Sequence, residues 1–339
     1  MRVQNFIGGQ WVTAHTGQVF SSINPATEEL IAEVEQSDVH DIDSAVMAAA
    51  KAYESWRLTP APKRGEILFR VGQILLERKE ELAQLLTREM GKVITEARGD
   101  VQEAIDMAFF MGGEGRRLLG YNAPVEMPNK FGLAVRDSIG VCAIVTPWNF
   151  PIAIPSWKIF PAIVAGNTVI FKPSPETPAL AAAFVKVMEE AGLPAGVVNL
   201  VTTNSLETSQ ALIAHPLVRV ISFTGSTNSG RSIGAEAARL GKKVSLEMGG
   251  KNAIIVLADA NLDLALEATL WAAFGTTGQR CTAASRLIIQ HNVHRQFVDR
   301  LFDRTQKLKI GNGLDPLTDV GPLINQAAVR RVSDYVEIG

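Results

Sequence analysis

From Ile139 to Phe274, short apolar runs alternate with helical stretches, and this alternation restricts the possible fold more than any other feature of the chain. The runs are Ile139–Val145, Thr168–Phe171, Val197–Leu200, Val218–Phe223, Val244–Leu246 and Ile254–Leu257. Their helical partners are Ala179–Ala191, Leu206–Ala214, Ser229–Leu240 and Leu262–Phe274. Such a pattern predicts an α/β fold with a largely parallel sheet covered on both faces. Ligands of these sheets bind beyond the carboxyl ends of the strands, so the loops that follow strands are where function is sought.

Each of those loops carries unusual residues. Thr146-Pro147-Trp148-Asn149-Phe150-Pro151 follows the first run, and a neutral amide such as Asn149 can donate a hydrogen bond to a developing oxyanion. A turn residue between two prolines is the plainer account of it. Lys172-Pro173-Ser174-Pro175-Glu176 puts a lysine at a strand end, suited to a ribose hydroxyl or a phosphate, or simply to solvent. Thr224-Gly225-Ser226 opens a glycine-rich turn ahead of a helix, which suits a phosphate at the helix N-terminus. The spacing Gly225…Gly230-Arg231-Ser232 falls short of a P-loop, because Arg231 stands where lysine is needed. Glu247-Met248-Gly249-Gly250 offers a carboxylate for general-base work once it is partly desolvated; most loop carboxylates are only solvated.

The stretch Phe274 to Arg286, F-G-T-T-G-Q-R-C-T-A-A-S-R, holds Cys281 among small and polar residues, directly after Arg280. A thiol becomes a strong nucleophile when positive charge or aligned N–H groups favour the thiolate and the sulfur is reachable. Gly278 lets the backbone approach a reacting oxygen, and Arg280 supplies local charge. The alternative is a small buried hydrophobe, a common fate of free cysteines.

The first part of the chain differs. Phe6 to Val34 has hairpin and turn chemistry around Gly8-Gly9 and Asn24-Pro25-Ala26-Thr27, and three helices are predicted at 38–56, 62–90 and 98–119, with Gly91 as a stop. Lys+Arg of 33 against Asp+Glu of 35, a net charge of −2, points to neither nucleic acid nor an anionic membrane. The most apolar region, Ile139 to Phe171, is interrupted by Pro147, Pro151, Pro155, Lys158 and Pro161 and cannot be one membrane helix. Two cysteines make no disulfide framework, which predicts a soluble cytoplasmic protein. The histidines suggest no metal site, His291 and His294 forming an H-x-x-H without a third ligand nearby.

Taken together, these stretches resemble the aldehyde dehydrogenase superfamily. The resemblance rests on P-W-N-F-P at 147–151, F-T-G-S-T at 223–227, L-E-M-G-G-K-N at 246–252 and G-Q-R-C-T-A-A-S-R at 278–286. It is joined by F-I-G-G-Q-W at 6–11, N-P-A-T at 24–27 and D-V-G-P-L-I at 319–324, so it runs through the chain in family order. E-M-G-K at 89–92, P-I-A-I-P-S-W-K at 151–158 and S-D-Y-V-E-I-G at 333–339 are most similar to bacterial 2,5-dioxovalerate (α-ketoglutaric semialdehyde) dehydrogenases.

The resemblance implies a Rossmann-like dinucleotide-binding domain at 1–123 and 138–250, an oligomerisation hairpin at 124–137, and the first part of a catalytic domain at 251–339. It implies that Cys281 adds to the aldehyde carbon, that Asn149 and the Cys281 N–H form the oxyanion hole, and that Glu247 activates the water that releases the acid. Trp148, Lys172, Ser174, Gly225, Ser226 and Met248 match positions lining NAD or NADP. The partners are a small aldehyde and, for full-length relatives, further copies of the same chain. Glu247 also favours water over coenzyme A as the acyl acceptor.

Three departures qualify this. NAD-preferring members often carry a carboxylate where Pro175 stands, whereas Glu176 is displaced by one residue, which leaves NADP open. One group of succinate-semialdehyde dehydrogenases grips the substrate carboxylate with arginines at positions matching Trp157 and Gly275, and this chain has neither. Family chains also continue past Gly339 with a further glutamate that holds the nicotinamide ribose, so a C-terminally truncated product is expected. That makes a non-catalytic remnant that binds dinucleotide the alternative to an active enzyme.

Overall fold

The strand Val141–Val145 lies in the middle of the architecture, and its side chains explain the layering. Successive strand residues point to opposite faces. Val141 and Ala143 enter one apolar core with Ile42, Val46, Leu212 and Ile221, while Cys142 and Ile144 enter another with Ile159, Phe160 and Phe184. A strand that is apolar on both faces must be covered on both, and fully burying each Ile, Phe or Leu contributes about 1.5–3 kcal/mol. The computed structural model describes residues 1–338 and shows the arrangement that meets this demand.

Seven strands form the central sheet in the spatial order Lys243–Met248, Val218–Gly225, Val141–Val145, Thr168–Lys172, Val198–Leu200, Asn5–Ile7 and Gln10–Val12. The first five run parallel, and an antiparallel hairpin, Asn5–Ile7 with Gln10–Val12, extends the far edge. Helices Ala153–Val164, Pro178–Glu190, Ala61–Glu77, Lys79–Met90 and Ile94–Glu114 pack on one side; Val39–Trp56, Leu206–Ala214 and Thr227–Arg239 pack on the other. After Val141–Val145 the chain adds two parallel strands on one side, then returns to add two on the other. The crevice at that reversal opens at the carboxyl ends of Val141–Val145 and Val218–Gly225.

The expected alternation therefore holds, with differences that bear on function. Three strands run longer than their apolar cores, so Lys172, Gly225, Glu247 and Met248 are final strand residues rather than loop residues. The run at 254–257 does not join the central sheet. Gly249 and Gly250 interrupt the chain, and Asn252–Val256 pairs in parallel with Ala284–Ile289 to make a separate two-stranded sheet. That sheet packs through Ile254, Val256 and Ile289 on Leu266, Leu270 and Phe297.

The stretch expected as one helix over 62–90 is two, Ala61–Glu77 and Lys79–Met90, with a break at Arg78 (φ −100°, ψ 12°). Neither glycine nor proline marks the corner; Arg78 braces it through Glu81 at 2.8 Å and Glu190 at 3.1 Å. Gly91 ends the second helix in the left-handed region at φ 94°. The third helix lies at Ile94–Glu114, four residues earlier than expected, starting where Ile94 N donates to Gly313 O at 2.8 Å. The hairpin expected at 124–137 has its strands at Tyr121–Ala123 and Gly132–Ala134, and its Tyr121, Phe131 and Leu133 side chains are exposed. Among the described residues, no helix is long and apolar enough to cross a membrane.

One buried ion pair fixes the first functional loop to this scaffold. Lys92 and Asp100 have fully buried side chains, with Nζ 2.9 Å from Oδ2. The other Asp100 oxygen accepts the Ala153 N–H at 2.9 Å, and Lys92 Nζ sits 3.9 Å from the centre of the Phe150 ring. The pair thus grips Phe150 and Ala153 on either side of Pro151-Ile152. Truncating one partner of a buried pair strands the other charge away from water. Lys92→Met is expected to lower the unfolding free energy by about 3–5 kcal/mol in urea denaturation; a loss below about 1 kcal/mol, the size of a surface pair, would show that it does not anchor the loop.

Candidate active site

Of the two free cysteines, Cys142 is buried in the central strand and Cys281 is exposed. Burial pushes the Cys142 thiol up to about 12, which leaves it inert as a nucleophile. Cys281 follows a tight turn, Gly275–Gly278, that closes the helix Leu262–Phe274. Gly278 adopts φ 69°, a left-handed conformation that favours glycine, and then releases the chain towards the strand Ala284–Ile289.

The turn is tied down from several directions. Asn149 Nδ2 donates to the Gln279 carbonyl at 2.8 Å, joining the loop after Val141–Val145 to a residue two before the thiol. The Asn149 Oδ1 is buried without a hydrogen-bond partner. Asn252 Nδ2 donates to the carbonyls of Cys281 at 2.7 Å and Ala283 at 3.1 Å. Thr277 Oγ1 donates to Gly321 O at 3.0 Å, and Gln279 Oε1 accepts the Ile324 N–H at 3.1 Å. The D-V-G-P-L-I stretch is thus a brace for the thiol turn.

Arg280 is placed differently from the sequence expectation. Its guanidinium lies 4.0 Å from the centre of the Trp271 ring and donates to the Trp271 carbonyl. Burial holds it below the usual arginine range, with the Glu96 carboxylate opposing. It is a packing element of the turn as much as a local charge.

Glu247 lies at the exposed end of Lys243–Met248, in register with Thr224 of the neighbouring strand. Near it is a residue that the sequence reading passed over, Lys158 of helix Ala153–Val164. Its Nζ donates to Ser222 Oγ at 2.9 Å, and burial pushes it down to about 8 while the Glu247 charge acts in the opposite sense. The only signal in the sequence was a lone lysine inside the apolar stretch I-P-S-W-K-I-F.

The other candidates gather at the same edge of the sheet. Lys172 is buried at the end of Thr168–Lys172 with no hydrogen-bond partner for its ammonium, and burial pushes it down to about 8. Ser174 is buried two residues on, and Trp148 is half-buried in the loop beside Asn149. Ser226 caps the helix Thr227–Arg239 by accepting the Ser229 N–H at 3.1 Å, leaving an exposed helix N-terminus. Gly225 and Gly230 allow close approach there: a Cβ at 225 would sit 2.5 Å from the Phe223 ring, and one at 230 would sit 2.5 Å from Met248 Sδ. Glu176 accepts from Asn325 Nδ2 at 2.8 Å, so its carboxylate is engaged. The Lys172 ammonium and the helix N-terminus, at strand ends on either side of Val141–Val145, are donors of the kind that a phosphate-bearing ligand requires.

Two surface clefts lie elsewhere, one of about 460 Å³ lined by Val3, Trp11, Arg88 and Lys186 and one of about 540 Å³ lined by Ile213, Ile233 and Arg239. His15, Asp38 and His40 also come together, although their spacing did not suggest it. Asp38 caps Val39–Trp56 through Oδ1 and holds His15 Nδ1 at 2.9 Å through Oδ2, so its carboxylate is already committed.

The sequence matches the aldehyde dehydrogenase family over residues 11–339. It is 40% identical over 336 residues to the α-ketoglutaric semialdehyde dehydrogenase of Bacillus subtilis, covering 99% of this chain and 69% of that protein. The structure superposes on an Escherichia coli NADP-dependent enzyme with a TM-score of 0.97 at 38% identity, covering 99% of this chain and 70% of the other. It superposes equally on an NAD-dependent aldehyde dehydrogenase from Sinorhizobium meliloti, with a TM-score of 0.97 at 34% identity over 99% and 68% of the two chains. Fold and relatives together define an oxidoreductase on a Rossmann-like sheet. More narrowly, the chain belongs to the aldehyde dehydrogenase family.

The difference between the two thiols gives a direct check. Brief treatment of the folded chain with iodoacetamide is expected to label Cys281 and leave Cys142 unmodified by peptide mass spectrometry, with both labelled in guanidinium. Equal labelling in the folded state would contradict the burial described for Cys142.

Proposed function

We propose that the chain oxidises a small aldehyde to its carboxylic acid with NAD or NADP, using Cys281 as nucleophile, Asn149 in the oxyanion hole and Glu247 as the base for water. The observation that carries this reading is the hydrogen bond from Asn149 Nδ2 to Gln279 O, which sets the amide beside the turn bearing the exposed thiol. Because one N–H is held there, the second N–H of the same nitrogen is free to face a substrate oxygen.

Cys281, as thiolate, forms a bond to the aldehyde carbon while the carbonyl electron pair moves onto oxygen. Asn149 Nδ2 and the Cys281 N–H donate to that oxygen. Bound dinucleotide supplies the hydride acceptor that this chemistry needs. Loss of hydride from the carbon leaves a thioester on Cys281. Glu247 then takes a proton from water as the water oxygen attacks, the C–S bond breaks, and the acid departs with the thiolate restored. Lys158 is held by Ser222 nearby, where the charge of Glu247 favours its ammonium form.

On the cofactor side, Trp148, Lys172, Ser174, Gly225, Ser226 and Met248 would hold the dinucleotide, Lys172 meeting the adenosine ribose or its 2′-phosphate. Pro175 stands where a carboxylate would meet that ribose, and Glu176, one residue on, is turned to Asn325, so both cofactors are accepted in this reading. Residues 1–123 and 138–250 would form the dinucleotide-binding domain, 251–339 the start of the catalytic domain, and 124–137 an oligomer contact. The substrate proposed is a semialdehyde such as 2,5-dioxovalerate, by likeness to the Bacillus subtilis relative. Neither Trp157 nor Gly275 supplies a cation for its carboxylate.

The deciding experiment follows reduced cofactor at 340 nm with a short aldehyde and NAD or NADP. Turnover abolished by Cys281→Ala, with cofactor binding retained, supports the reading. Binding without turnover in the unmutated chain would favour a dinucleotide-binding protein instead. Glu247→Gln is expected to give a burst of reduced cofactor followed by slow steady-state release, and normal steady-state turnover would remove Glu247 from its role.

A titration tests the place of Lys172. Its ammonium is held down to about 8 by burial, and an anionic group beside it would raise it again. Cofactor binding at pH 8 is therefore expected to take up protons, and at pH 6.5, where Lys172 is already charged, to take up almost none. Calorimetry in buffers of different ionisation enthalpy measures this, and Lys172→Met should abolish the uptake at pH 8.

A further inference from the structure

We infer that Glu96, on the first turn of helix Ile94–Glu114, is a positioning residue for the thiol of Cys281, acting by holding a strained two-threonine turn in place. This deepens the proposed function and rests on it. Thr276 and Thr277 both lie in the left-handed region, at φ 52°, ψ 32° and φ 57°, ψ 32°. For β-branched side chains this backbone is an outlier that persists only when the surroundings impose it.

Contacts on both sides of the turn impose it. Both Glu96 carboxylate oxygens accept the Thr276 backbone N–H at 2.9 Å, and one also accepts Thr276 Oγ1 at 3.3 Å. Thr276 is buried, so without Glu96 its N–H would have no solvent to turn to. On the far side, Thr277 Oγ1 is held by Gly321 O at 3.0 Å. Between these anchors the chain has one conformation, and it delivers Gln279 to Asn149 and Cys281 to the surface two residues later. Gly275 sits against the same carboxylate: a Cβ there would lie 3.0 Å from Glu96 Oε1 and 2.7 Å from Arg280 Nη2. Glu96 is 180 residues from Thr276 in the chain and touches neither the thiol nor the candidate base. Its action is through the turn alone.

The test compares the full chain with Glu96→Ala, Glu96→Gln and Glu96→Ala/Thr276→Gly. Glutamine keeps one oxygen to accept the Thr276 N–H, and glycine at 276 adopts the left-handed conformation without strain. Glu96→Ala is expected to raise amide hydrogen exchange across 276–281 by roughly tenfold or more while leaving Val141–Val145 unchanged. Turnover is expected to fall by about ten- to a hundredfold with the KM for dinucleotide unchanged, as for a displaced reacting group. Glu96→Gln should retain part of both properties, and the double variant should recover most of the loss in both.

Unchanged exchange across 276–281 in Glu96→Ala, or a double variant no better than the single one, would overturn the inference. Should alanine prevent folding, the glutamine variant carries the same exchange comparison. A chain with no aldehyde-dependent cofactor reduction would sink the functional reading, and hydrogen exchange would still decide the role of Glu96.

Discussion

The Gln279 carbonyl accepts from the Asn149 amide at 2.8 Å, and through this contact the central sheet meets the turn that carries the reactive thiol. Each partner is held independently. Asn149 sits in a loop gripped by the buried Lys92–Asp100 pair through Phe150 and Ala153, while Gln279 is fixed through Ile324 and the turn ahead of it through Glu96. Rigid support from both directions is what lets one hydrogen bond define a geometry, since a donor on a loose loop would spend its energy on ordering itself. The scaffold supplies the rest by topology. The strand order reverses at Val141–Val145, and the crevice of that reversal lies where Asn149, Lys172, Gly225 and Glu247 end their strands or begin their loops.

The buried ionisable groups are distributed according to this plan. Glu89 is fully buried where it accepts the Ala179 and Leu180 N–H groups and the Ser22 hydroxyl, each at 2.8 Å, tying the helix after Lys172 to the N-terminal sheet. Arg64 is buried with its guanidinium on the carbonyls of Val164 and Thr59, so that it closes helix ends on the same side of the sheet. These groups are satisfied within the protein. Lys172 is the contrast: its side chain is largely buried at a strand end, and its ammonium donates no hydrogen bond among the described residues.

Much of this was legible in the sequence, for a physical reason. A parallel sheet needs uniformly apolar strands, and strands such as V-C-A-I-V and T-V-I-F-K state that requirement openly. Most candidate residues were legible because they end or follow such strands, while Cys281 stood out as a thiol among small and polar residues ahead of one. What could not be read was set by contacts between distant parts of the chain. The corner at Arg78 is held by Glu190 and has no glycine or proline to announce it. The departure of Asn252–Val256 from the central sheet depends on pairing with Ala284–Ile289. Lys158 and Glu96 looked like ordinary charges on helices until the fold placed them beside Ser222 and Thr276. Asn149 was ambiguous in sequence between a turn residue and a donor to an oxyanion, and nothing in the sequence announced that its amide donates to the Gln279 carbonyl.

The crowding around Gly275 constrains how a protein of this kind can change its substrate. Any side chain at that position must displace Arg280 from the Trp271 face or push against Glu96. An arginine at 275, which could grip a distal carboxylate, would be admitted only as the flexible ends of Arg280 and Glu96 swing aside, and it would draw on the same carboxylate that holds Thr276.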